Sequence, residues 1–123
     1  LIMTFPANEE KWSYAKVDGK GLVSEVAEKR VISPHATVGI YYFHSIRAFN
    51  SAAQKMISEN IRTKGEFYLC PVYNQLVSQS SFPVPIYSIE RSQMHGLGTP
   101  EDLELFLASP PPVLSPPSIA SGY

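Results

Sequence analysis

The chain has 123 residues, 44% of them hydrophobic, and ten Lys and Arg against eleven Asp and Glu leave a formal charge of −1; that length suits one domain with one core. The near-neutral balance speaks against a protein built around nucleic-acid phosphates or an anionic membrane surface, and no apolar run approaches the ~20 residues of a membrane span. With Cys70 as the sole cysteine, neither an internal disulfide nor a cysteine-based zinc site is expected, so a reducing, cytoplasmic setting without a secretory leader is the default.

Residues 1–5 read as a short buried strand, and Pro6 to Glu10 as a polar loop. Trp12 to Val17 and Leu22 to Ala27 are two β-prone runs flanking Asp18-Gly19-Lys20-Gly21, so 12–27 is expected to form a β-hairpin. Glu28-Lys29-Arg30 is a charge cluster just after its second strand. Ala36 to Phe43 (ATVGIYYF) reads as a central strand, apolar on both faces. Ser45 is a candidate N-cap, and Ile46, Phe49, Ala53, Met56 and Ile57 recur at helical spacing over 46–59. A polar loop, Asn60 to Gly65, precedes a second helix over about 67–78, with Leu69, Tyr73, Leu76 and Val77 inward and a regular start near Cys70 because of Pro71.

Phe82 to Ile89 reads as an edge strand, since its two prolines cannot donate to a ladder. Thr99-Pro100-Glu101-Asp102 is a helix start: Thr99 caps, Pro100 suits the first turn, and the acids face the positive helix end. Leu103, Phe106 and Leu107 form its expected apolar face. Five of the last fourteen residues are proline and none is charged, so 110–123 reads as an extended Pro-rich tail outside the fold. The reading is one α/β domain with a mixed sheet over 1–108, followed by a disordered tail over 109–123.

No nucleophile set stands out. His35, His44 and His95 lie far apart, no Gly-x-Ser-x-Gly elbow occurs, and Cys70 sits in an apolar run that marks it as a packing residue. Gly96-x-Gly98 is too short to cradle a phosphate and lacks a following Lys. Glu28-Lys29 with Gly39 on the next strand is more suggestive. An ionised Glu accepts several hydroxyl hydrogen bonds, a Lys can hold a phosphate as a point charge, and a glycine within a strand often marks close approach of a ligand or backbone. Spacing alone favours the plainer alternative, a solvated ion pair and a packing glycine. Glu66 reads on its own as a helix-start acid, and Tyr41, Tyr42, Phe43, Tyr68 and Tyr73 read as core.

Taken in order, the pieces change that balance. Trp12-Ser13-Tyr14-Ala15-Lys16-Val17-Asp18, Val26-Ala27-Glu28-Lys29, Ile32-Ser33, Ala36 to Phe43, Gly65-Glu66-Phe67-Tyr68, Pro71-Val72-Tyr73-Asn74 and His95 to Leu103 form a series over about residues 1–107. The series resembles the later half of the nucleotidyltransferases that make nucleotide-activated sugars, most like those found with capsular and surface polysaccharide genes. The resemblance implies part of a three-layer α/β/α, Rossmann-like fold of the nucleotide-diphospho-sugar transferase type. It implies a reaction in which a sugar 1-phosphate oxygen attacks the α-phosphorus of a nucleoside triphosphate, pyrophosphate leaves, and Mg²⁺ offsets the charge.

Carried over by motif, Glu28 accepts sugar hydroxyls, Lys29 holds the phosphate or a sugar oxygen, Gly39 lets the ligand sit against its strand, and Glu66 adds to the same pocket. Two departures accompany the resemblance. The family's phosphate loop, catalytic Lys and first metal Asp belong to the earlier half and have no counterpart here, and Gly96 stands where many members carry a second metal Asp. No catalytic residue and no metal ligand is therefore assigned. The expectation is an acceptor-binding segment, inactive alone, that associates with a missing partner half or with itself. The alternative is a non-catalytic assembly module pairing through an open sheet edge. Nucleic acid and membrane are not expected partners.

Overall fold

The computed structural model describes residues 1–79 and 82–112. The hairpin forms as the turn chemistry dictates. Strands β2 (Ser13–Val17) and β3 (Val23–Glu28) pair antiparallel, with Ser13 opposite Glu28. The turn is pinned by the Asp18 carboxylate, which accepts from the N–H groups of Lys20 and Leu22 at 2.8 and 3.0 Å, and Gly21 supplies a φ of +77°.

With β1 (Ile2–Pro6), β4 (His35–Tyr41) and β5 (Ile86–Ser88), these strands make a mixed sheet in the order β3-β2-β4-β1-β5. β4 is central, and β5 runs parallel to β1 at an edge. The sheet curls. Residues 84–85 touch both of its ends: the N–H of Ile2 donates to Pro85 O at 3.1 Å and that of Val23 to Val84 O at 2.8 Å. The outer side of β3 is blunted further by Asn74, whose amide accepts from Val26 N–H and donates to Val26 O, both at 2.8 Å.

The apolar residues divide between two faces. One core joins Ile2, Ala15, Val23 and Val26 to Ala52 and Met56 of α1 (Ile46–Ser58) and to Val72, Tyr73 and Leu76 of α2 (Val72–Val77). Ser45 caps α1 through the Ala48 N–H. On the opposite face Phe5, Tyr14 and Ala36 are covered by Trp12, Ile32, Ile89 and Met94. A 3₁₀ helix (Arg91–Gln93) then leads to α3 (Pro100–Ala108), capped by Thr99 as expected. The architecture is α/β with a curled five-stranded sheet.

Four expectations need correction. The α1 face that meets the sheet is Phe49, Ala52, Ala53 and Met56, while Ile46 and Ile57, near the helix ends, are exposed. The second helix starts at Val72 rather than near residue 67, because 63–66 form a turn of their own, and Leu69 is exposed. β4 is covered on both faces only over its first half, and Ile40 and Tyr42 are exposed. On α3, Leu103 and Leu107 are exposed and only Phe106 turns inward, to an edge contact with His95 at 5.8 Å. Of the Pro-rich tail, 113–123 lie outside the described residues. No helix among the described residues is long and apolar enough to cross a membrane.

Candidate functional site

The C-terminal end of β3 delivers Glu28, half-buried, beside the start of β2. Its Oε2 accepts a hydrogen bond from the Ser13 hydroxyl, the cross-strand partner. Lys29 follows in a left-handed backbone conformation, φ +53°, which bulky residues adopt sparingly. Its N–H donates to Trp12 O at 3.1 Å, which holds the reversal in place.

The Lys29 ammonium meets a second segment. Nζ donates to the Tyr68 hydroxyl at 2.9 Å, and that hydroxyl donates to Glu66 Oε2 at 3.0 Å. Glu66 and Tyr68 are presented by a tight turn. Thr63 and Glu66 exchange backbone hydrogen bonds at 2.9 and 3.0 Å, and the two central residues, Lys64 and Gly65, have φ of +49° and +82°. Positive φ at both central positions is what a primed hairpin turn demands. The hydrogen bond with the Tyr68 hydroxyl holds the Lys29 ammonium above its ordinary pKa, desolvation opposes this, and Glu28 and Glu66 add lesser contributions to the rise.

Behind the pair lies a polar nest within the core. The Tyr41 hydroxyl shares a 2.8 Å hydrogen bond with Thr37 and also faces Ser13 and Cys70. Burial pushes the Cys70 thiol up to about 12, partly offset by the Tyr41 hydroxyl. A buried thiol with so little thiolate is a poor nucleophile, consistent with the packing role read from the sequence. Iodoacetamide at pH 8 is expected to label native Cys70 only as fast as the domain opens, and the urea-unfolded chain promptly. Prompt, stoichiometric labelling of the native chain would contradict this placement.

Gly39 sits in a bulge. Between the pairs Ile2–Tyr41 and Thr4–Thr37, β4 advances two residues more than β1, and Gly39 takes φ +92° there. Nothing lies within 4 Å of where a side chain would stand. The backbone conformation therefore requires the glycine, and the space in front of it is open. Gly39 joins the neighbourhood through Tyr41, two residues along β4, rather than by contact with Glu28 or Lys29.

Hydrogen bonds thus link Lys29 to Glu66 through Tyr68, with Glu28 next in sequence to Lys29, and a groove of about 520 Å³ opens beside Lys29, lined by Glu10, Lys11, Trp12, Lys29, Lys64, Gly98, Thr99 and Asp102 but not by Glu28, Gly39 or Glu66. Two residues the sequence reading missed, Ser13 and Tyr68, hold Glu28 and Lys29 directly. Tyr68 was read as core, yet its two-residue spacing from Glu66 places both on one side of an extended chain. Glu66 is not a helix-start acid, since α2 begins six residues later.

The residues present do not fit a divalent cation at the Gly96 corner. Gly96 brings no side-chain oxygen, and the nearby Asp102 already accepts from Lys11 Nζ at 2.8 Å through Oδ1. That ammonium holds the Asp102 carboxyl below its usual range. Among the described residues no three His, Cys, Asp or Glu side chains converge as a metal set.

No protein-family model and no curated protein matches the sequence. Among solved structures, the nucleoside-diphosphate-sugar pyrophosphorylase from Vibrio cholerae RC9 superposes with a TM-score of 0.78 at 27% identity, over 87% of this chain. The fold is nucleotidyltransferase-like. The match takes in 45% of the Vibrio protein, so this chain spans about half of that protein's length. In this nucleotidyltransferase-like fold, Lys29 and the groove it lines lie at the end of the hairpin, between the loop after β1, the 63–66 turn and the start of α3.

Proposed function

We propose that this chain is the sugar-phosphate-binding part of a nucleotidyltransferase that forms a nucleotide-activated sugar from a nucleoside triphosphate and a sugar 1-phosphate. The observation that carries the reading is that Glu28, held by Ser13, adjoins Lys29, which is held by Tyr68 and Glu66 and lines an open groove. A solvated ion pair has no need of such anchoring.

With Oε2 committed to Ser13, Glu28 keeps Oε1 to accept sugar hydroxyls. Lys29, with one donor spent on Tyr68, keeps two for the ligand's phosphate. Glu66 holds Tyr68, and so acts on the ligand through Lys29. Gly39 leaves room against β4 for the sugar. The likeness to the Vibrio enzyme supports the reaction class. The three-layer arrangement, the link to capsular or surface polysaccharide and a cytoplasmic setting are parts of the same reading.

The sequence holds no counterpart of the phosphate loop or catalytic Lys, so this part grips the acceptor while a companion half grips the triphosphate. In this reading any Mg²⁺ of the reaction is held by that companion half. Calorimetry with glucose 1-phosphate as probe tests the reading. The expected result is saturable binding by the chain, much weaker binding of free glucose, and no pyrophosphate release with triphosphate added. Equal affinity for phosphorylated and free sugar, or robust turnover by the chain alone, would contradict it.

One observation favours a second reading, an assembly module. β5 has a strand partner on one side only among the described residues, and a half-paired strand invites another chain. Light scattering separates the two, since edge pairing predicts a concentration-dependent dimer.

A further inference from the structure

Gly96 is enclosed. A side chain begun there would stand 3.1 Å from Trp12 Cη2 and 3.5 Å from Asp102 Cγ and Oδ2. Trp12 has little freedom to yield, because its Nε1–H donates to Glu9 at 3.2 Å and its ring packs edge-on against Phe5 at 5.3 Å. Asp102 is equally fixed. Its N–H donates to the Thr99 hydroxyl at 3.1 Å in the first turn of α3, and its side chain is only 13% exposed. Lys11 crosses to this carboxylate from the β1–β2 loop, and its Nζ also lies 4.7 Å over the Trp12 ring. An ammonium between a carboxylate and an indole face is a seated cation. A magnesium or calcium ion would need several more oxygens than this corner provides.

We infer that the Lys11 ammonium takes, against Asp102, the place of a divalent cation at the Gly96 corner, and that a phosphate entering the groove meets Lys11 together with Lys29 and needs no metal there. Both lysines line the same groove. Lys11 spends one donor on Asp102, and the side chain is 41% exposed, so further donors face the opening. The inference rests on the sugar-phosphate reading for its choice of ligand, and on the Trp12–Gly96–Asp102 packing for the cation.

The test has two arms on the isotope-labelled chain. Mn²⁺ titration is expected to leave the Gly96, Thr99 and Asp102 amides without site-specific paramagnetic broadening. Glucose 1-phosphate is expected to bind equally in EDTA and in excess Mg²⁺. Lys11→Met is expected to weaken that binding about 3- to 10-fold, the worth of one partly exposed charged contact, and Lys11→Arg to restore most of it. The amide spectrum confirms that each variant folds.

Mn²⁺ broadening centred on Asp102 overturns the inference. So does loss of binding in EDTA, or unchanged affinity in Lys11→Met while Glu28→Ala loses it, an outcome that leaves the sugar-phosphate reading standing. Failure of the wild type to bind glucose 1-phosphate defeats that reading, and the Mn²⁺ arm then decides the cation alone.

Discussion

Tyr73→Ala is expected to lower the unfolding free energy by about 3–5 kcal/mol, the usual cost of emptying a buried aromatic site. Tyr73 is 1% exposed. Its ring stacks on Phe43 at a centroid distance of 4.6 Å and tilts against Tyr41 at 5.9 Å. Its hydroxyl lies 3.1 and 3.0 Å from the carbonyl oxygens of Leu1 and Tyr42, which carry the β1–β4 pairing past its regular end. The truncation therefore opens a cavity where α2 meets the sheet and strips a donor from two carbonyls.

Urea titration is the measurement, with a lower midpoint and an unchanged slope expected. Tyr73→Phe keeps the ring and loses only the hydroxyl, so it should cost about 1 kcal/mol. A loss below about 1 kcal/mol for Tyr73→Ala would mean that α2 does not pack on the sheet as described. The Phe variant guards against an Ala variant too unstable to measure.

Glu28→Ala is expected to weaken glucose 1-phosphate binding about 10- to 100-fold, the loss of one or two hydrogen bonds to a charged acceptor. Stability should change by less than about 1 kcal/mol, because Glu28 is half-exposed at a strand end and its Ser13 partner can turn to water. Glu28→Gln keeps the shape and one acceptor, so it should fall between wild type and Ala. Calorimetry and urea titration on the same samples separate binding from folding. Unaltered affinity with unaltered stability would return Glu28 to the role of a solvated surface charge.

Local chemistry was readable in the sequence wherever the determinant lies within a few residues. The Asp18–Gly21 turn and the Ser45 and Thr99 caps depend on such neighbours and stand where expected, whereas the edge strand expected over Phe82 to Ile89 is confined to Ile86–Ser88, after its prolines. What escaped depends on partners far along the chain. Asn74 serves β3 from 48 positions away, and buried Gln75 donates to Glu59 at 2.9 Å. Both stand within the apolar run Val72 to Val77, which marks a packed helix but not the distant partners these polar side chains find.

The α1 stripe was misplaced for a related reason. Helical periodicity identifies apolar positions without saying how far the sheet reaches, and Ile46 and Ile57 lie beyond the contact that Ala52 makes close. At the site, adjacency marked Glu28 and Lys29. Ser13 and Tyr68, 15 and 39 positions from the residues they hold, gave no local signal beyond the Glu66–Tyr68 spacing. Gly39 drew notice as a glycine inside a strand, and the structure places it in a bulge of β4 with φ +92°.

The proposed ligand of the Glu28–Lys29 corner is a phosphorylated sugar. Amide shift mapping of the isotope-labelled chain with glucose 1-phosphate tests it most directly. Saturable shifts are predicted at Ser13, Glu28, Lys29, Gly39, Glu66 and Tyr68, and their loss in Glu28→Ala. Shifts confined to other surfaces, or the same shifts in Glu28→Ala as in wild type, would contradict it.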